Sequence, residues 1–201
     1  MPVLERNNKI ESNFISDQEF NQLYPAEIEL LAKRHWTPLN VARLASGFLA
    51  MGSNTRILDI GSGVGKFCLC GAYHNPASLY FGIEQRRELV RHANKAKSKL
   101  NLDNVHFIHG NFTQLDLKDY DNFYFFNSFF ENLDGTDKID DSIEYSEELF
   151  EYYSRYLFRQ LNKVPRGTRL VTYHSMEHEV PPGFAIVDTD LGDLLKFWIK
   201  I

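Results

Sequence analysis

Cysteine is nearly absent from this 201-residue chain; only Cys68 and Cys70 occur, two positions apart. On a helix that spacing points the side chains to different faces, so no disulfide framework is expected, and a reducing cytoplasm suits two buried free thiols. Long apolar runs are missing as well. No stretch approaches the roughly 20 residues that a membrane span requires, and the polar, acidic N-terminus has no apolar leader, so the expectation is a cytoplasmic protein with no membrane partner. Positive charge is scarce: 22 Lys and Arg face 27 Asp and Glu, a formal charge of −5. That balance gives no support to non-specific attraction to nucleic acid. Internal repeats and low-complexity tracts are lacking, and the length suits one well-buried domain. In excess are aromatics, with 16 Phe and 10 Tyr.

The most informative stretch is the apolar run Ile57-Leu58-Asp59-Ile60, which opens into Gly61-Ser62-Gly63-Val64-Gly65-Lys66 before a second apolar pattern begins. It reads as a buried strand, a tight turn and a helix start, in which glycines permit positive φ and let a ligand approach the main chain without meeting a Cβ. The free N–H groups of the helix then face that ligand. A phosphate-binding Walker loop is excluded, because Gly61 and Gly65 enclose three residues rather than four and Phe67 follows Lys66 where Ser or Thr is needed. The fingerprint G-x-G-x-x-G is excluded because its third glycine falls on Lys66. The pattern is G-x-G-x-G. The next apolar run, Leu79 to Glu84, ends in a carboxylate 23 residues after Gly61, where an acid can accept hydrogen bonds from a ribose diol.

These two segments resemble motif I and the following acidic strand end of the class I S-adenosylmethionine-dependent methyltransferases, and the resemblance extends from about residue 36 to 201. It implies an α/β, Rossmann-like, doubly wound seven-stranded sheet, mostly parallel with an antiparallel C-terminal hairpin, and N-terminal helices covering the cofactor. Residues 1–52 are then an arm and helical lid, and 53–201 the cofactor-binding part of one compact domain. The cofactor implied is S-adenosylmethionine, with no metal. Asp59, Gly61, Gly63, Gly65, Glu84, Gln85 and Asn127 surround it; Asn111 meets the adenine amine and Phe112 the ring; Trp36 and Thr37 belong to the lid, although Trp36 in the core under a helix cap stays equally open. Gly82-Ile83-Glu84, Gly110-Asn111-Phe112 and Asn127-Ser128-Phe129-Phe130 look most like the non-SET, nucleosomal histone-lysine methyltransferases. Ser128 stands where those enzymes usually carry a second asparagine, Asn111 where they carry aspartate, and a long basic tail is lacking. The resemblance therefore speaks for the catalytic domain and not for histones.

The remaining pattern alternates strand and helix, as a parallel sheet covered on both faces does. Residues up to about Ile15 show no periodicity and read as a loose arm. Ser16 or Asp17 can cap a short helix, Pro25 can open another, and Thr37-Pro38 supplies an N-cap and first-turn proline for a third that Gly52 ends. Arg86 to Leu100 is helical; Arg87, Arg91, Lys95 and Lys99 recur every four residues on it, a stripe expected of any solvated face and equally able to touch RNA or an acidic partner. Strands are expected at 105–109, 121–130, 169–173, 185–188 and 196–200.

Asn127 closes an aromatic run at the exit of the fourth strand and is the candidate catalytic residue on the acceptor side; Glu131 and His174 are proton acceptors by position only. Residues 131–151 hold nine acids and one lysine. An acidic rim beside aromatics favours a cationic or neutral acceptor, so an amine on a protein or small molecule is expected ahead of nucleic acid. RNA methylation and a non-catalytic cofactor-binding module are the alternatives. His174-Ser175-Met176-Glu177-His178 spells H-x-x-E-H, but a strand feeds into it and Pro181-Pro182 follow, which leaves no room for the helix that such a zinc site needs.

Overall fold

Described here from a computed structural model, residues 13–175 and 177–201 form one seven-stranded sheet. The strands are β1 (Arg56–Ile60), β2 (Leu79–Glu84), β3 (Val105–His109), β4 (Asn122–Phe126), β5 (Arg169–Tyr173), β6 (Phe184–Asp190) and β7 (Leu195–Lys200), in the order 3-2-1-4-5-7-6. The first five run parallel, whereas β7 pairs antiparallel with both β5 and β6. Strand order reverses between β1 and β4, and in open α/β sheets such a switch point opens a ligand crevice at the carboxyl ends of the strands.

The helices are α1 (Asp17–Asn21), α2 (Ala26–Glu29), α3 (Ala32–His35), α4 (Leu39–Leu49), α5 (Lys66–His74), α6 (Arg87–Leu100) and α7 (Glu147–Leu161). Alternation along β1 divides the core: Ile57 joins a cluster beneath α4, α5 and α6, while Leu58 and Ile60 join one beneath α7. Both faces of the sheet are thus covered at its centre, which is why β1, β4 and β5 are buried almost throughout rather than alternating, whereas edge strand β6 is mostly exposed. Among the described residues no helix is long and apolar enough to cross a membrane.

Several local expectations need correction. Residues 1–12 of the expected arm lie outside the described residues, but Phe14 is buried and stacks on Tyr73 with ring centroids 4.1 Å apart, so the segment is anchored there by aromatic contact that no periodicity reveals. Thr37 does not cap α4; its hydroxyl pairs with Tyr124 at 3.0 Å, and the Asp17 carboxylate accepts from the Leu39 N–H instead. Helix α4 ends at Leu49, and Gly52, with φ of +90°, lies in the turn beyond. Strand β4 ends at Phe126 rather than at 130, because Asn127 turns into the left-handed region with φ of +43°.

Candidate active site

A cavity of about 250 Å³ opens where β1, β2 and β4 end. The glycine-rich turn forms its floor. Gly63 has φ of +53° and no atom within 4 Å of where its Cβ would stand, so a side chain there would project into open space. Gly65 differs: its added Cβ would come within 2.3 Å of the Phe107 ring, and the residue is absent from the cavity wall. The expectation that Gly65 touches the cofactor is corrected accordingly; its bare Cα lets α5 pack against the sheet.

Glu84 reaches from the end of β2 across this turn. One oxygen accepts from the Gly63 N–H at 3.1 Å and the other from the Arg86 N–H at 2.8 Å. Burial raises its pKa against those bonds. Asp59 is also buried, and its pKa is pushed up to about 8, chiefly by desolvation and further by the charge of Glu84, while the Cys68 thiol, 3.6 Å from its Oδ2, opposes the shift. Two buried carboxyls whose pKa values burial raises and a turn with free space over its glycine suit a ligand that brings positive charge and hydroxyl donors. The Ser62 hydroxyl, buried on the same wall, has no partner among the described residues.

The N-terminal helices close one side. Lys66, nearly fully buried, donates to Asp17 at 2.5 Å and Asn21 at 3.1 Å, and the Tyr24 hydroxyl donates to the Val64 carbonyl, so α1 and the segment after it are fastened to the glycine turn. Trp36 is buried, packs edge-on against Tyr24 at 4.8 Å and also lines the cavity with Thr37.

Across the cavity stands the exit of β4. Asn127 lines it, and its side-chain amide makes no hydrogen bond to the described residues. Ser128 donates to the Ile60 carbonyl at 2.6 Å and sits over Gly61, where an added Cβ would meet it at 2.4 Å; this small residue ties the exit of β4 to β1. Phe129 stacks on Phe112 at 5.1 Å as part of the core beneath α7.

Arg86 is the residue that sequence reasoning missed. Only 6% exposed, its guanidinium reaches Glu131 at 2.5 Å, Asp140 at 3.1 Å and the Tyr145 hydroxyl at 2.6 Å, with Glu84 at 3.7 Å. The acidic segment is therefore not a bare rim. Glu131 and Asp140 share Arg86, Asp137 pairs with Arg34, and Glu131 is an ion-pair partner rather than a free base. Eight of the nine acids are exposed and need no cation; Glu131, half-buried, takes its own from Arg86, 45 residues earlier, and leaves no local signal in the sequence.

Of the other expected residues, Gln85 and Phe112 line the cavity, but Asn111 does not. Its Oδ1 accepts from the Thr113 N–H, and its Nδ2 donates to Gln85 and to the Tyr153 hydroxyl, so it caps a 3-10 turn behind the wall. His174 is absent from the cavity wall and lies beside Tyr173 and Phe126. Met176 of H-x-x-E-H lies outside the described residues; around it the chain makes a bend and a 3-10 turn at Glu177–Glu179, so the two histidines do not share a helical face.

The family model described as a methyltransferase domain matches residues 51–185. The chain belongs to this methyltransferase family. S-adenosylmethionine is accordingly the cofactor, and the buried acids and open glycine turn fit it. A tRNA (guanine-N(7)-)-methyltransferase from Synechococcus sp. (strain JA-3-3Ab) is 48% identical over 54 residues, 27% of this chain and 23% of the relative. One of the same name from Microcystis aeruginosa is 44% identical over 54 residues, again 27% of this chain and 26% of the relative. The match therefore spans about a quarter of these curated relatives. Among solved structures, an RNA methyltransferase from Salinibacter ruber in complex with S-adenosylhomocysteine superposes with a TM-score of 0.57 at 22% identity, covering 82% of this methyltransferase chain and 93% of that one. At such identity the likeness speaks for the fold. The tRNA methyltransferase names overturn the expectation that a protein or small-molecule acceptor ranks ahead of nucleic acid. Resemblance to the histone-lysine enzymes goes no further than the shared methyltransferase class.

Proposed function

We propose that this domain transfers the methyl group of S-adenosylmethionine to RNA. The observation that carries the reading is the 54-residue stretch, 48% identical to a tRNA methyltransferase, in a chain whose cavity has the acids and open glycine turn that the cofactor needs. Gly61, Gly63, Asp59, Glu84 and Gln85 hold the cofactor, Phe112 lies against its base, and Trp36 and Thr37 cover it. Bound there, the cofactor supplies an electrophilic methyl on a sulfonium. The protein's part is orientation and the exclusion of water. Asn127, whose amide has both donor and acceptor free at the β4 exit, positions the acceptor base. Residues 13–52 act as arm and lid to the remainder.

The test is transfer of labelled methyl from S-adenosylmethionine into a cell lysate that is afterwards separated into RNA, protein and small-molecule pools. Label in the RNA pool is expected. Label confined to either of the others would overturn the reading.

A further inference from the structure

The chain's charge is unevenly distributed. Helix α6 carries five Lys and Arg against one carboxylate, a balance of +4, whereas the whole chain stands at −5, so everything outside α6 sums to −9. One face of α6, with Leu89, Val90, Ala93, Ala96 and Leu100, is buried against the sheet. The opposite face exposes Arg87, Arg91, Lys95 and Lys99, each four residues after the last. At 1.5 Å per residue they form a cationic row about 18 Å long. Arg91 pairs with Glu88, an exposed contact of little energy, and Lys99 donates to the Leu23 carbonyl. Arg87 and Lys95 make no ion pair to the described residues. The row begins at the site itself, because Gln85 and Arg86, immediately before Arg87, line the cavity.

We infer that this face of α6 is the track along which the phosphate backbone of the acceptor RNA lies as it enters the cavity. The inference rests on the RNA reading above. An evenly spaced cationic row in an otherwise acidic protein localises a polyanion on one face while the rest of the surface repels it, so the net charge suppresses binding elsewhere rather than at the site. A row with no apolar residue between its cations contacts backbone and not bases, and it sets register without reading sequence.

The test uses an unmodified tRNA transcript and the full chain. In the double variant Arg87→Gln/Lys95→Gln, RNA affinity at about 0.1 M salt should fall by roughly tenfold or more, and the slope of log affinity against log salt should shrink by about 2, one for each lost phosphate contact. Melting temperature and S-adenosylmethionine affinity should not change, since both side chains are exposed and neither lines the cavity. Lys163→Gln, an exposed cation beyond α7, is the control and should leave RNA affinity intact. Equal loss in the control would show a mere net-charge effect and overturn the inference. So would unchanged affinity and slope in the double variant while the wild type still methylates the transcript, and in that case the RNA reading stands. A wild type that neither binds nor methylates RNA removes both.

Discussion

Along the cofactor wall, at the ends of β1 and β2, positions are set by strand pairing and backbone conformation; across the cavity, residues 127–146 contain no strand and no α-helix and are held by side chains that converge on Arg86. The first wall is a product of local sequence. The second is a product of ion pairs between residues 45 and 54 positions apart. The glycine-turn wall therefore rests on the rigid frame, and the facing wall on a segment whose geometry depends on one buried cation.

Breaking the second wall should give the largest effect. Arg86→Met leaves Glu84, Glu131 and Asp140 without their cation, and unfolding free energy should drop by about 3 kcal/mol, the low end for a buried pair because Asp140 is half exposed. Chemical denaturation measures this, and Arg86→Lys should recover part of the loss. Breaking the first wall should leave the fold but remove the ligand. Gly63→Val places branched carbons in open cavity space, and cofactor affinity should fall by at least about 100-fold, about 2.7 kcal/mol, with cooperative unfolding retained.

Asp59 sharpens the comparison through pH. Its folded pKa of about 8 lies above its ordinary value of 3.8, so between those limits the folded protein holds a proton that the unfolded chain has released. Stability must then decline as pH rises from about 4 to about 8 and level off above, and Glu84, also raised, acts in the same direction. Melting curves of Asp59→Asn should show a shallower decline than wild type, together with weaker cofactor binding. The smallest effect is expected on the acceptor side: Asn127→Ala should lower turnover by about tenfold, about 1.4 kcal/mol, while cofactor affinity stays near that of the wild type.

How much of this was legible in the sequence follows the same division. Strand–turn–helix at Ile57–Phe67 and the acid at Glu84 leave signals because they arise from neighbours in the chain, and the seven-stranded sheet was expected from the family resemblance they carry. Asn111 and Gly65 were assigned by analogy with motif position; only packing shows that one caps a turn and the other yields to Phe107. The acids at 131–151 were misread as a free rim because the partner of two of them, Arg86, lies 45 residues or more before them. That reading, with the net charge of −5, led to an amine acceptor and left the basic stripe on α6 as no more than a solvated face.

The central claim, that the ends of β1 and β2 are a preformed S-adenosylmethionine site, is tested most directly by calorimetric titration of the purified chain with S-adenosylmethionine and S-adenosylhomocysteine. The account predicts saturable one-to-one binding of both, weakened by about 1–3 kcal/mol in Glu84→Ala through the lost hydrogen bonds to the charged group. No heat with either ligand, alongside a response to a nicotinamide dinucleotide, would contradict it.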